Sequence, residues 1–139
     1  MESRTDHIRI YPCFEASDAS AKGYCQRYLE TRHENLKFLR DTHSDEPFTK
    51  PWFLRTLDRI RQADIVLCLL GEKTWLASNV RWELIVAFAL KKRVVTMRLH
   101  SNRMHVPPFL LVEHDAKIEQ FNLEKLSSKL FHQEEQRAA

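Results

Sequence analysis

The sequence has 139 residues, of which 43% are hydrophobic and 29% charged, with a formal net charge of +3. This length is typical of one domain with a buried core, and the composition is that of a soluble globular protein. The longest apolar run, LIVAFAL, is too short to span a bilayer. Basic residues are scattered along the chain, so we expect neither a membrane nor a nucleic-acid partner.

Cysteine and histidine usage indicates a reduced compartment and no metal site. Cys13, Cys25 and Cys68 form no CxxC pair, and their odd number favours free thiols over a disulfide framework. The N-terminus has no apolar signal core, so we expect a cytoplasmic protein. The seven histidines include no HExxH motif and no pair four residues apart, so no metal ligand set is predicted.

Strand-like and helix-like segments alternate along the chain. In chain order, the patterns predict a strand at 7–14, a helix at 20–33, a strand at 36–41, a helix at 51–63, a strand at 64–72, a helix from about residue 80, a strand at 93–99, a weak strand within 110–121 and a final helix at 122–136. Pro12 is expected to shorten the first strand or to mark a bulge. Pro51 and Asn122 suit helix starts.

This alternation predicts an α/β fold in which helices cover both faces of a parallel sheet. For about five strands we expect a flavodoxin-like three-layer sandwich with strand order 2-1-3-4-5. One domain covers 1–139, with its core at about 7–121 and a C-terminal helix at about 122–136. Ligands of such folds bind beyond the carboxyl ends of the first and third strands. Here that crevice lies between the connections 14–21 and 71–80.

A carboxylate interrupts the most apolar helix of the chain. Val80, Leu84 and Ala87 form its inner stripe, and Glu83 falls on the same face. Such an acid either complements the dipole of the helix start or faces a ligand in the crevice. Glycine-rich phosphate motifs are absent, because the chain has only two glycines. Ser17 offers a hydroxyl to a phosphate near the start of the preceding helix.

One chemistry suits a single carboxylate in this position. Cleavage of an ordinary glycoside requires two carboxyl groups, one of which protonates the leaving oxygen. The nicotinamide of NAD leaves from a cationic pyridinium and departs neutral, so it requires no general acid. One carboxylate on the ribose can stabilise the oxocarbenium-like transition state. Phe14, Trp75 and Trp82 are aromatic residues that could stack on a base.

The segment DIVLCLLGEKTWLASNVRWELIVAFALKKRVVTMRLH resembles the central part of TIR-like domains, of the Toll/interleukin-1 receptor superfamily. The resemblance is greatest to bacterial TIR-like proteins of Thoeris-type antiphage defence, in which a strand ending in LIGxxT leads into SxWVxWE. The residues in matching positions are Gly71, Thr74, Val80, Trp82 and Glu83. IYPCFEASD is similar to the FISFxxxD of the family, which aligns Phe14 and Asp18. Asn79 stands where the family often has Trp.

The resemblance implies an enzyme that consumes NAD. Active members cleave the nicotinamide–ribose bond or make cyclic ADP-ribose-type signals, with NAD as substrate and no bound cofactor. Glu83 is then the catalytic residue, and Phe14, Asp18 and Trp82 line the substrate pocket. Thr74, from the matching motif, and Ser17, from its hydroxyl, complete the substrate-binding candidates. The resemblance also implies self-association and a separate effector protein that responds to the nucleotide product.

Two other functions fit the same fold. A non-enzymatic TIR-like interaction module would recruit partners through its helices and the loop 42–51, which contains Phe48. A nucleoside deoxyribosyltransferase-like enzyme would also use a glutamate. It would require a second carboxylate, for which Glu15 and Glu72 are the candidates.

Overall fold

The computed structural model describes residues 7–43 and 46–131. Its strands are β1 Ile8–Cys13, β2 Leu36–Phe38, β3 Ile65–Leu70, β4 Arg93–Arg98 and β5 Ile118–Glu119. Its α-helices are α1 Ala19–Arg32, α2 Lys50–Gln62, α3 Ser78–Ala89, α4 Phe109–Glu113 and α5 Leu123–Phe131. Two short 3-10 turns, Ala16–Asp18 and Thr74–Leu76, follow β1 and β3.

The strands form one five-stranded sheet in the order β2-β1-β3-β4-β5, and every neighbouring pair is parallel. This confirms the predicted flavodoxin-like order. In the centre of the sheet, Ile10 is in register with Ile65, and Cys13 with Cys68. The carboxyl ends of β1 and β3 therefore lie side by side, at the edge where a ligand crevice is expected.

Helices cover both faces of the sheet, because alternate strand residues are apolar on both sides. On one face, α1 and α5 pack against Ile10, Leu67 and Val95. On the other, α2, α3 and α4 pack against Tyr11, Val66 and Cys68. β3 is buried along its whole length, which explains why its sequence is an unbroken apolar run.

Pro12 neither ends β1 nor forms a bulge, and its register with Leu67 is unbroken. The Ile8 amide donates to Asn35 O at 2.7 Å, and the Ile10 carbonyl accepts from the Leu39 amide at 2.8 Å, so both residues bond on the side of β2. By alternation, the nitrogen of Pro12 points to the same side, beyond Phe38, where β2 has ended. The missing N–H group therefore interrupts no pairing with β2.

The segment 110–121 is only partly a strand. Its first residues, 110–113, form the end of α4, and β5 is confined to Ile118–Glu119. Pro107 and Pro108 precede α4, and proline favours such helix starts. The apolar run that follows is too short for its periodicity to distinguish a helix from a strand.

The last helix begins where the sequence predicts it to begin. Asn122 caps α5 by accepting a hydrogen bond from the Lys125 amide at 2.9 Å. The described part of α5 ends at Phe131, so the predicted continuation over 132–136 lies outside the described residues. Within the described ranges, no helix has both the length and the apolar character needed to cross a membrane.

Candidate active site

Glu83 lies on the buried side of α3 and is 1% exposed. The hydroxyl of Tyr11 on β1 donates a hydrogen bond to Glu83 Oε2 at 2.7 Å. Among the described residues, Oε1 is buried and has no hydrogen-bond partner. A buried carboxylate with one bonded and one unbonded oxygen is costly for folding, because desolvation is only partly offset. Such groups are enriched at functional sites.

Burial raises the pKa of Glu83 from its ordinary value of 4.5 to about 8. The hydrogen bond from Tyr11 and the nearby side chains of Cys13 and Asn79 lower this pKa, while the nearby charge of Asp41 raises it. The unliganded protein therefore holds Glu83 largely protonated at neutral pH. Glu83 ionises slightly above neutral pH, so the charge of a bound cationic ligand can lower its pKa into the neutral range.

A buried polar chain extends from Glu83 across the sheet face. Tyr11 is fully buried, and the nearby hydroxyl of Thr42 acts to lower the pKa of its phenol. Thr42 Oγ1 in turn lies 3.1 Å from Thr56 Oγ1 on α2. Burial, followed by the charge of Glu83, raises the pKa of Tyr11 far above its ordinary value. Tyr11 is therefore a phenol, and a donor, over the whole physiological range.

A cavity of about 230 Å³ opens beside this chain. Its walls come from the β1–α1 connection, the β2–α2 connection and the first turn of α3. The lining residues are Ala16, Thr42, His43, Pro47, Phe48, Trp52, Ser78 and Asn79. Glu83 is one helical turn beyond Asn79 and is not itself among the lining residues. The β2–α2 connection thus contributes walls that the predicted crevice did not include.

Aromatic contacts close the cavity around Phe14. The ring of His43 stacks on that of Phe14, with centroids 4.3 Å apart. Asn79 Nδ2 donates to the Phe14 carbonyl at 3.2 Å, which ties the start of α3 to the end of β1. Phe14 is itself buried in the α1/α5 core. His43 therefore lines the cavity, while Phe14, a predicted substrate-binding residue, lies outside the lining and supports the His43 ring by stacking.

The predicted residues Ser17 and Asp18 lie on the 3-10 turn after β1, outside the cavity lining. Ser17 is exposed, and its hydroxyl and amide both donate to the side chain of Glu15. Asp18 Oδ2 is buried without a partner in the described structure and packs against Gly71, where any Cβ would collide with it. Burial, with Glu15, raises the pKa of Asp18.

Thr74 and Trp82 are also separate from the cavity beside Asn79. Thr74 is buried and closes the turn after β3, accepting a hydrogen bond from the Gly71 amide at 2.8 Å. Trp82 packs edge-on against Phe53 of α2, with centroids 5.0 Å apart. Thr74 instead lines a second cavity, of about 480 Å³, between α3 and α4, together with Trp75, Arg81 and Phe109.

The polar and aromatic residues of this site that were not predicted include Tyr11, Asp41, Thr42 and His43. Tyr11 reads as an ordinary core residue of a strand, and the others belong to a polar connection whose position depends on the tertiary fold. Asn79 did carry a signal, since it departs from the tryptophan common in TIR-like sequences. In the described ranges, no group of three or more His, Cys, Asp or Glu side chains is placed to hold a metal ion.

The sheet order defines a flavodoxin-like α/β domain, with a buried acid, Glu83, on α3. The family described as "Thoeris protein ThsB, TIR-like domain" matches residues 12–104, and the chain belongs to this family. No curated protein sequence matches the chain significantly.

Solved structures share the fold at low sequence identity. The TIR domain of the Toll-related receptor TRR-2 from Hydra magnipapillata has a TM-score of 0.60 and 12% identity, over 93% of this chain and 95% of that one. The CMP N-glycosidase BcmB of Clostridium botulinum has a TM-score of 0.55 and 12% identity, over 88% and 97%. A 2-deoxyribosyltransferase from Leishmania mexicana has a TM-score of 0.53 and 18% identity, over 78% and 71%.

Proposed function

We propose that this protein cleaves the nicotinamide–ribose bond of NAD and that its ADP-ribose-type product is a signal in antiphage defence. The nicotinamide leaves with the electron pair of the C–N bond, and ionised Glu83 stabilises the cation that develops on the ribose. Water then captures the cation to give ADP-ribose and a proton. Capture by a nucleophile of the same molecule gives a cyclic product instead.

The observation that supports this proposal is the state of Glu83. Tyr11 holds Oε2, and Oε1 is left without a partner among the described residues. The pyridinium charge of NAD favours the ionised carboxylate, because an opposite charge nearby lowers the pKa of an acid. We therefore expect activity to rise with pH up to the pKa of Glu83, which is about 8 in the absence of ligand.

The cavity matches one end of a dinucleotide. Its volume of about 230 Å³ is below the range of about 300–1,000 Å³ typical of sites that enclose a whole ligand. The rings of His43 and Phe48 offer stacking surfaces for nicotinamide, and the side chain of Asn79 offers polar atoms for the carboxamide. The adenosine half then lies outside this cavity, and NAD is a substrate rather than a resident cofactor.

The comparisons support the same class of reaction. Two neighbours of this fold are named as an N-glycosidase and a deoxyribosyltransferase. The family name places its members in Thoeris defence. We propose that the product diffuses to a separate effector protein in the cytoplasm, and that copies of this chain associate when they act.

The test is nicotinamide release from NAD by purified protein over a wide range of protein concentrations. We expect release by the native protein, increasing more than proportionally with concentration if association completes the site. Glu83→Gln keeps the size of the side chain but cannot ionise, so its release should fall by at least about a hundredfold. Full activity in a folded Glu83→Gln variant would refute the proposal.

A second candidate function is a non-enzymatic interaction module. The observation in its favour is a set of exposed apolar side chains around the start of α3 and along α4, namely Trp75, Leu76, Ile85, Phe109 and Val112. Exposed apolar patches of this kind mark protein interfaces. This function predicts no NAD turnover at any concentration. Of the two aromatic residues at the loop 42–51 and the start of α2, Trp52 is buried and Phe48 is exposed for contacts.

A deoxyribosyltransferase-like reaction is less well supported by the carboxylate positions. Glu15 and Glu72 lie near Asp18 instead of Glu83. Burial raises the pKa of Asp18 most, and the charges of these two glutamates raise it further. The carboxylate that influences Glu83 is Asp41, and an ion pair with Lys22 at 3.3 Å holds it. A base-exchange assay with deoxynucleosides separates this function from NAD cleavage.

A further inference from the structure

Tyr11 occupies a position on a central strand where phenylalanine would satisfy packing alone. Its side chain belongs to the apolar core beneath α2 and α3, together with Val66 and Leu84. It is fully buried, so its hydroxyl must find partners inside the protein. The partner is a carboxylate 72 positions away in sequence, on the helix that crosses β1. The contact therefore exists only in the folded state.

The hydroxyl of Tyr11 also connects Glu83 to the wall of the cavity. It donates to Glu83 Oε2 and interacts with the hydroxyl of Thr42, a lining residue. Thr42 is in turn held by Thr56. A chain fixed at both ends restricts the rotation of the carboxylate about its side chain. Oε1 is consequently the oxygen that is left without a hydrogen-bond partner among the described residues.

We propose that Tyr11 is a positioning residue that orients the Glu83 carboxylate and keeps its Oε1 available to the substrate. This inference rests on the function proposed above, because it gives Glu83 the substrate contact. It adds a residue on a different element, with a role that neither the family nor the site geometry alone assigns. Tyr11 itself does not touch the substrate.

The groups around Glu83 determine the sign of the expected effect. Tyr11 and Cys13 face it from β1, Asn79 from its own helix, and Asp41 from the β2–α2 connection. Of these, Asp41 raises the pKa of Glu83, and the other three lower it. Loss of the Tyr11 hydroxyl therefore raises the pKa of Glu83 above about 8 and leaves less ionised carboxylate at neutral pH.

The experiment compares Tyr11→Phe with the native protein and with Tyr28→Phe as a matched control. Tyr28 is a partly buried tyrosine of α1 whose ring contacts the Arg32 guanidinium, a contact that phenylalanine preserves. Two readouts are taken: the pH profile of nicotinamide release, and the ¹³C titration of the labelled Glu83 carboxyl. Tyr11→Phe should raise the Glu83 midpoint by about one unit and lower kcat at pH 7 about tenfold. KM should change little, and Tyr28→Phe should match the native protein.

An unchanged Glu83 midpoint in folded Tyr11→Phe would overturn the proposal. If that variant does not fold, the native protein supplies the same test, through Tyr11 labelled with ¹³C at Cζ. Its resonance should shift at the Glu83 midpoint, and a Cζ resonance indifferent to that titration would also overturn the proposal. The two proposals can fail separately. If the native protein shows no NAD turnover but its Glu83 midpoint still depends on Tyr11, the proposed function is refuted and the effect of Tyr11 on Glu83 stands.

Discussion

The two faces of the sheet are built from similar apolar side chains, yet they differ in what else they bury. The core under α1 and α5 is apolar, and its polar neighbour Glu119 lies at the margin, bonded to Lys129 at 2.6 Å. The core under α2 and α3 includes Tyr11, Thr42, Thr56 and Glu83. Stability alone would favour apolar residues on both faces. The difference therefore places the candidate site on the α2/α3 side of the sheet.

The largest expected difference is in turnover, between glutamates on the two faces. Glu30 of α1 is partly buried and accepts a hydrogen bond from the Phe38 amide at 2.8 Å. Glu30→Gln should retain nicotinamide release within about twofold, whereas Glu83→Gln should lose at least about a hundredfold. Parallel assays of both variants at pH 8 measure the ratio. Equal losses in the two variants would mean that activity falls because the fold is disturbed, and not because Glu83 has a specific role.

The next effect is on stability, in two leucines that are both fully buried. Leu29→Ala on α1 and Leu84→Ala on α3 should each lower the free energy of unfolding by about 2–5 kcal/mol, as measured by urea denaturation. Only Leu84→Ala, beside Glu83 on α3, should also shift the pH profile of turnover. A shift of equal size in Leu29→Ala would show that the two faces do not act separately.

An effect that is smaller per pH unit concerns the pH dependence of stability. Glu83 has a pKa of about 8 in the folded protein, against an ordinary value of 4.5. Between these values the folded state holds more protons, so stability falls as pH rises, by about 1.4 kcal/mol per pH unit from this group. Glu83→Gln should remove that slope. Denaturation midpoints of both proteins at pH 5 and pH 8 test this, and parallel curves would contradict it.

The smallest expected effect is at the margin of the α1/α5 face. The hydrogen bond from Lys129 lowers the pKa of Glu119. This pair therefore stabilises the protein at pH values above the ordinary pKa of a glutamate, and its contribution is lost as the pH falls. Lys129→Met should reduce the free energy of unfolding by about 0.5–1 kcal/mol at pH 7 and by less at pH 3. Thermal denaturation at both pH values measures the difference. A loss of equal size at pH 3 would indicate that Lys129 contributes through packing instead of charge.

The sequence predicts the fold better than it predicts the site. The order of strands follows from the alternation of periodic segments, which is local information, and it is confirmed. α4 is missed because five residues after two prolines are too few for a periodicity to be read. Glu83 could be singled out because a charge on an apolar stripe is visible in one helix. Tyr11 and Thr42 could not, since their importance comes from contacts between distant segments.

Pro12 has a consequence for how the upper half of β1 tolerates burial. Past the end of β2, an ordinary residue there would direct an amide hydrogen into a buried region with no strand to receive it. An unmet buried donor typically costs about 1–3 kcal/mol. Proline has no such hydrogen, so β1 extends to Cys13 beside the cavity without needing a water molecule or another strand at that point. Proline usually interrupts strands, but here it allows β1 to extend beyond the end of its neighbour β2.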